Sequence, residues 1–203
     1  MLVDYSYIFD KARDLYADLS YNEKYGRMLM PLRYFIDLTY VCNMKCSYCY
    51  IGDDRKKNEL SFEEWKNIIA QIPRFAFISI IGGEPLTRPD FRDVYIEASK
   101  RTPLRVNLYS NILLLTESLV DDFIKYKLLC LSLSLDGYGE KHDENRRCEG
   151  AFEKVVNNLD LINEKCKNRH KIILDVKTVL LDNNIEDMVK MYELCSQKGC
   201  DFF

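Results

Sequence analysis

From Tyr34 onward the chain alternates short β-rich runs with longer segments of helical periodicity, and this alternation restricts it to an α/β fold. The runs YFIDLTY (34–40), FAFISIIGG (75–83), LRVNLYSN (104–111), LLCLSLSLD (128–136) and KIILDVKTVLL (171–181) read as five strands. Between the first two, SFEEWKNIIAQI (61–72) places Phe62, Trp65, Ile68, Ile69 and Ile72 on one helical face, and Ser61 with Glu64 forms a capping box. The next helix carries Phe91, Val94, Tyr95 and Ala98, with Asp90 as its cap, and Thr116 opens another over 116–127. A polar loop after the fourth strand leads to a helix over 151–167 striped by Phe152, Val155, Val156, Leu159, Ile162 and Cys166. The last helix sets Ile185, Met188, Val189, Tyr192 and Cys195 on one face and stops at Gly199, after which DFF starts a sixth strand.

Five βα units and a stub predict a parallel sheet with right-handed crossovers, either doubly wound or a partial barrel. A closed eight-stranded barrel needs a longer chain than 203 residues with this spacing allows. Residues 4–20 also show helical spacing, so the expected organisation is a helical extension over 1–33 and a core domain over 34–203.

With 47% hydrophobic and 30% charged residues, the chain has the means to build a packed core without disulfides. Its net charge of −3 offers no global basic surface, which argues against nucleic acid or an anionic membrane as partner. The start, MLVDYSYIFDKARD, lacks the features of a signal peptide, and no apolar run approaches the ~20 residues that cross a bilayer. The sequence therefore reads as cytoplasmic, where clustered cysteines serve as metal ligands or redox groups.

Such a cluster occurs in VCNMKCSYCY, where Cys42, Cys46 and Cys49 follow the first strand with spacing C-x-x-x-C-x-x-C. They lie at the carboxyl end of the sheet, where ligand sites of parallel folds gather. Three readings stay open. A structural zinc site closes with four ligands, and His142 and His170, the only histidines, lie far along the chain. Three buried small hydrophobes would have to sit among Asn43, Lys45 and Ser47. Three thiolates on an iron–sulfur cluster would leave one iron with an open position for another ligand.

Three further stretches stand at strand ends. IIGGEPL (80–86) joins Gly82 and Gly83, which permit close backbone approach, to Glu84 and Pro85; an ordinary strand-to-helix turn has the same look. Strand four alternates Cys130, Ser132, Ser134 and Asp136 against four leucines, polar on a face that parallel sheets usually bury. A barrel interior of small residues and water is the alternative there. On strand three, Asn107, Tyr109 and Asn111 share a face, and on strand five Lys177 either lines a cavity or pairs with Asp175.

Taken together these stretches resemble the radical S-adenosylmethionine enzymes, whose signature C-x-x-x-C-x-aromatic-C is matched by Cys42, Cys46, Tyr48 and Cys49. The resemblance covers about residues 34–203. It implies a partial barrel of the family's (β/α)6 type, here reaching the start of strand six. It also implies a 4Fe-4S cluster on the three cysteines, with S-adenosylmethionine on the fourth iron beside Tyr48. Gly82, Gly83, Glu84 and Pro85 match the family's G-G-E-P motif, which receives the co-substrate's amino group. SLDG (134–137) and HDENRR (142–147) resemble motifs of the peptide-modifying branch, the one that includes enzymes with SPASM or twitch extensions. By that match Ser134 and Asp136 belong to the co-substrate site, Ser134 at the ribose and Arg146 at the carboxylate. YSNI resembles the family's T-N-G turn, with Asn111 in place and Ile112 where the family has glycine.

The function so implied is reductive cleavage of S-adenosylmethionine to a 5′-deoxyadenosyl radical that takes hydrogen from a peptide or cofactor precursor. A low-potential donor of the flavodoxin or ferredoxin type would supply the electron. The alternative is a non-catalytic cluster- or S-adenosylmethionine-binding protein that kept the fold, and Ile112 is a reason to consider it.

Overall fold

The computed structural model describes residues 21–22, 27–28, 31–51 and 58–203. The chain divides into two units, Met1–Leu32 and Arg33–Phe203. In the first, Tyr21–Asn22 pairs antiparallel with Arg27–Met28; the helix expected over 4–20 lies outside the described residues.

The second unit is a five-stranded sheet of β1 (Arg33–Asp37), β2 (Phe77–Ile81), β3 (Val106–Ser110), β4 (Cys130–Ser134) and β5 (Ile173–Lys177). The strands lie side by side in sequence order, every pair parallel. That order decides between the two windings the sequence allows, because a doubly wound sheet reverses direction at a switch point and this one does not. On the free edge of β5, Phe202 bridges Asp175 in parallel and its carbonyl accepts from Val176 N at 2.9 Å, the beginning of a sixth strand.

The helices are α1 (Phe62–Gln71), α2 (Phe91–Arg101), α3 (Glu117–Lys125), α4 (Glu140–Arg146), α5 (Ala151–Cys166) and α6 (Met188–Gln197). Helix α1 starts at the expected capping box, with Ser61 and Glu64 satisfying each other's backbone N–H groups. Thr116 caps α3 through Leu119 N. The outer face of the sheet is apolar: Ile78, Ile80, Leu108, Leu131 and Leu133 are fully buried. They pack against stripes such as Val94, Tyr95 and Ala98 of α2 and Val155, Leu159 and Ile162 of α5. Each such aliphatic side chain contributes about 2 kcal/mol by leaving water.

Four expectations need correction. The segment after β4 is not all loop, because α4 forms there between Gly139 at φ +62 and Arg147 at φ +50. Asp90 stands at the start of α2 without capping it; its carboxylate is held by Arg88 at 2.7 and 2.8 Å instead. Ile68 of α1 is 38% exposed, while Trp65, Ile69 and Ile72 carry the contact. In α6 the buried face runs through Met191 and Cys195, leaving Ile185, Val189 and Tyr192 exposed. A tighter 3-10 turn over Ile185–Asp187 precedes that helix and shifts its phase against a continuous α-helical count.

Candidate functional site

The cysteine loop leaves β1 after Asp37 and is pinned from several directions. Met44 is 2% exposed and anchors it in the core. Ser47 N donates to Asn145 O at 3.4 Å, and Asn111 Nδ2 donates to Asn43 Oδ1 at 2.8 Å. At the base, Glu59 accepts from Thr39 Oγ1 at 2.6 Å and Tyr40 N at 3.0 Å, and Arg88 holds its other oxygen at 3.2 Å.

The glycine pair at the end of β2 serves this loop directly. Gly83 N donates to Thr39 O at 2.7 Å and Glu84 N to Val41 O at 2.9 Å. A Cβ on Gly82 would stand 2.4 Å from Thr39 O, and one on Gly83 would stand 2.4 Å from Val41 O. The close approach that glycine permits here is therefore that of the cysteine loop's own backbone.

Glu84 is 1% exposed. Its carboxylate accepts from Ser110 Oγ at 2.7 Å, Asn111 N at 2.6 Å and Leu86 N at 3.1 Å, which joins the ends of β2 and β3. Burial raises its pKa, and those donors together with Arg146 oppose the rise. At Ile112 the chain takes φ +56, the left-handed conformation a glycine would supply. Burial of its whole side chain, Ser110 Oγ accepting from Ile112 N at 2.9 Å and Asn158 donating to Ile112 O at 2.7 Å hold it there.

Asp136, fully buried just beyond β4, is a junction. Its Oδ1 accepts from Val179 N at 2.7 Å, and its Oδ2 accepts from the Tyr48 hydroxyl and lies 2.5 Å from Arg146 Nε. Nε finds no aligned acceptor, so the contact with Arg146 is an ion pair rather than a directed hydrogen bond. The backbone of Asp136 is held as firmly. Its N–H donates to His142 Nδ1 at 2.9 Å, while Asn145 and Asn184 donate to its carbonyl at 2.7 and 3.0 Å.

The Arg146 guanidinium lies 5.7 Å from the centre of the Tyr48 ring, and its Nη1 lies 3.8 Å from Cys46 Sγ. Burial alone would lower the Arg146 pKa, but Asp136, Tyr48 and Cys46 outweigh it and keep the cation charged. Burial raises the Tyr48 pKa against the pull of Arg146, so the hydroxyl keeps its proton and stays a donor. His142 is pushed down to about 4 by burial and by Arg146, and remains a neutral acceptor.

These groups border a cavity of about 630 Å³. Cys42, Cys46, Cys49, Tyr48, Gly82, Gly83, Asn111, Ser134 and Arg146 all line it, with Phe35, Ile81, Tyr109 and Val179 as apolar walls. The fold thus brings together nine of the twelve residues singled out in the sequence. Glu84, Pro85 and Asp136 stand behind the wall. Lys177 takes its second option and pairs with Asp175 at 2.9 Å, where Ser132 Oγ also donates at 2.8 Å.

Among the described residues no three His, Cys, Asp or Glu side chains converge on a point that would hold one metal ion. The three thiols border a volume rather than cage an atom, which fits a multi-iron body taking one thiolate per iron. The wall offers hydroxyl, amide and guanidinium groups beside aromatic and aliphatic surface, the mixture that suits an amphiphilic organic molecule.

Sequence reasoning missed Phe35, Val179 and Asn184, and gave His142 and Asn145 of HDENRR no role of their own. A helical reading of HDENR would have shown His142, Asn145 and Arg146 on one face, at spacings of three and four.

The profile of the Radical SAM superfamily matches residues 36–195, and the chain belongs to that superfamily. It is 29% identical over 168 residues to an AdoMet-dependent heme synthase of Methanosarcina barkeri, covering 80% of this chain and 46% of that protein. It is 25% identical over 177 residues to the sporulation killing factor maturation protein SkfB of Bacillus subtilis, covering 86% and 42%. The chain therefore spans less than half the length of these curated relatives. Among solved structures, Streptococcus suis SuiB bound to S-adenosylmethionine superposes with a TM-score of 0.76 at 19% identity, over 100% of this chain and 46% of that one. The anSMEcpe structure with bound AdoMet and Kp18Cys peptide gives 0.69 at 23%, over 85% and 50%. Among the described residues no helix is long and apolar enough to cross a membrane.

Proposed function

We propose that this chain carries the core of a radical enzyme in which Cys42, Cys46 and Cys49 hold a 4Fe-4S cluster and the cavity beside them holds S-adenosylmethionine. The observation that carries the reading is the convergence of the three thiols with Tyr48, Arg146, Ser134 and the Gly82–Gly83 turn on one cavity. The cluster, when bound and reduced, supplies the electron that cleaves S-adenosylmethionine to methionine and a 5′-deoxyadenosyl radical able to take hydrogen from a substrate. The chain's own residues bind and orient. Arg146 offers a buried positive charge for the co-substrate's carboxylate, Ser134 a hydroxyl for its ribose, and Asn111 and the glycine turn a polar rim. Asp136 and Glu84 act one step back, the first by fixing Tyr48 and Arg146 and the second by fixing the turn that bears Asn111.

Phe35, Ile81 and Val179 give the cavity an apolar side against which a substrate can rest. SuiB has been solved with its precursor peptide SuiA, and SkfB is by name a maturation protein, so a peptide is the substrate class we favour, with a cofactor precursor as the other. The electron would come from a flavodoxin- or ferredoxin-type donor in the cytoplasm. Ile112 no longer favours a non-catalytic protein, since it adopts the backbone conformation of the glycine it replaces.

The test is anaerobic reconstitution with iron and sulfide, followed by iron analysis, reduction and assay for 5′-deoxyadenosine. The natural protein should bind iron and release the nucleoside, and a variant lacking Cys42, Cys46 and Cys49 should do neither. Bound zinc without iron, or nucleoside no more abundant than in that variant, would overturn the proposal.

A further inference from the structure

Five cysteines lie away from the cavity, and two of them meet. Cys195 sits in the last turns of α6 and is 2% exposed, whereas Cys200 is partly exposed just past the helix end. Gly199, at φ +65, turns the chain back so that Cys200 N donates to Cys195 O at 2.9 Å. With about 1.5 Å from N to Cα at Cys200 and about 2.4 Å from the Cys195 Cα to its carbonyl oxygen, that contact holds the two Cα atoms within about 6.8 Å, the outer limit of a disulfide's reach. Both side chains belong to one packed cluster, Cys195 inside it and Cys200 against it. Directly after Cys200 the chain is fixed to β5, where Asp201 Oδ2 accepts from Leu174 N at 3.0 Å.

We propose that Cys195 and Cys200 form a dithiol–disulfide couple, a redox modification site separate from the cavity. The oxidant is a low-molecular-weight disulfide of the glutathione class. Cys200 Sγ, on the less buried of the two residues, attacks as thiolate after giving its proton to solvent. It forms a mixed disulfide and releases one small thiolate, which takes up a proton. Cys195 then loses its proton, attacks the Cys200 sulfur and expels the second small thiol. Two protein thiols are oxidised by two electrons and one small disulfide is reduced to two thiols. In a reducing compartment such a bond is transient, as redox-sensing disulfides are.

The protein, purified anaerobically without its cluster, is equilibrated in mixtures of reduced and oxidised glutathione, alkylated and digested with trypsin. Cleavage after Lys198 separates the two cysteines. The bond therefore appears as MYELCSQK joined to the peptide beginning GCDFF, lighter by two hydrogens than the separate pair. We expect that product at ratios where Cys148 and Cys166 are still alkylated. In C195S, Cys200 should stop at the glutathione adduct, and in C200S the buried Cys195 should stay reduced, with far-UV circular dichroism reporting that both variants fold. A lasting glutathione adduct on Cys200 of the natural protein, pairing of Cys195 with any other cysteine, or continued alkylation of both would overturn the proposal. None of these readouts depends on enzymatic activity.

Discussion

Replacing Asp136 by Asn removes one negative charge and leaves the side-chain volume unchanged, so it isolates what that charge does. Asp136 is fully buried and the Arg146 side chain is 12% exposed, which leaves little water to compensate the cation once its counterion is gone. Breaking a buried pair from one side costs about 3–5 kcal/mol. The amide oxygen can still accept from Val179 N, which favours the lower end, about 3 kcal/mol. The amide nitrogen would face two donors, Tyr48 Oη and Arg146 Nε, so neither regains its partner. For a chain of this size each kcal/mol lowers the melting temperature by about 2–4 °C, giving a fall of about 6–12 °C. Thermal unfolding of the cluster-free protein measures this. Equilibrium dialysis against S-adenosylmethionine, on the reconstituted protein, reports whether the cavity loses affinity as Tyr48 and Arg146 come loose. Asp175→Asn is the comparison, because Asp175 pairs with the 56% exposed Lys177 and its loss should cost under about 1 kcal/mol. If D136N melts within about 2 °C of the natural protein, or no lower than D175N, Asp136 is not the junction described above.

Three further outcomes are expected. His142 has a folded pKa of about 4, below its ordinary value of 6.5; its contribution is therefore complete above pH 6.5 and erodes as pH falls toward 4, by about 3 kcal/mol in total. Urea midpoints at pH 7 and pH 5 should differ less in His142→Gln, and equal differences would refute the assignment. Ile112→Gly relieves about 1 kcal/mol of left-handed backbone strain but empties a fully buried site worth about 2–5 kcal/mol, so a net loss is expected in denaturant titration; a gain in stability would show that burial does not hold this turn. Gly83→Ala should push the Val41 backbone away and cost about 1–3 kcal/mol, with reduced iron retention after reconstitution; unchanged melting and iron content would count against the packing described.

The five βα units were legible because each repeats the same local signal, a short β-rich run followed by a stripe of period 3.6. Helix α4 was not, because its buried face consists of His142 and Asn145, polar residues that carry no apolar periodicity. The exposed face of α6 was misread because the 3-10 turn before it cannot be seen in spacing alone. In the site, Cys42, Cys46, Tyr48 and Cys49 declare themselves through local spacing, as do Gly82 and Gly83. Asp136 could be named, but its role could not. That role depends on where Val179 N and the Tyr48 hydroxyl arrive, which is a matter of tertiary position. Phe35 and Val179 were missed for the same reason, since an apolar residue near a strand end looks the same whether it faces a helix or a cavity.

The Asp136 carboxylate also sets an order of assembly. Its partner Tyr48 lies 88 residues earlier in the chain and its partner Val179 lies 43 residues later. Contacts of such sequence separation close large loops and form late relative to local helices and neighbouring strands. During synthesis, the cysteine loop emerges long before the segment that completes its support. Thiols exposed in that interval have no fixed geometry, so loading of the cluster proposed above belongs after β5 has docked. Substitutions that slow the docking of β5 should therefore lower metal content even when they touch no cavity residue.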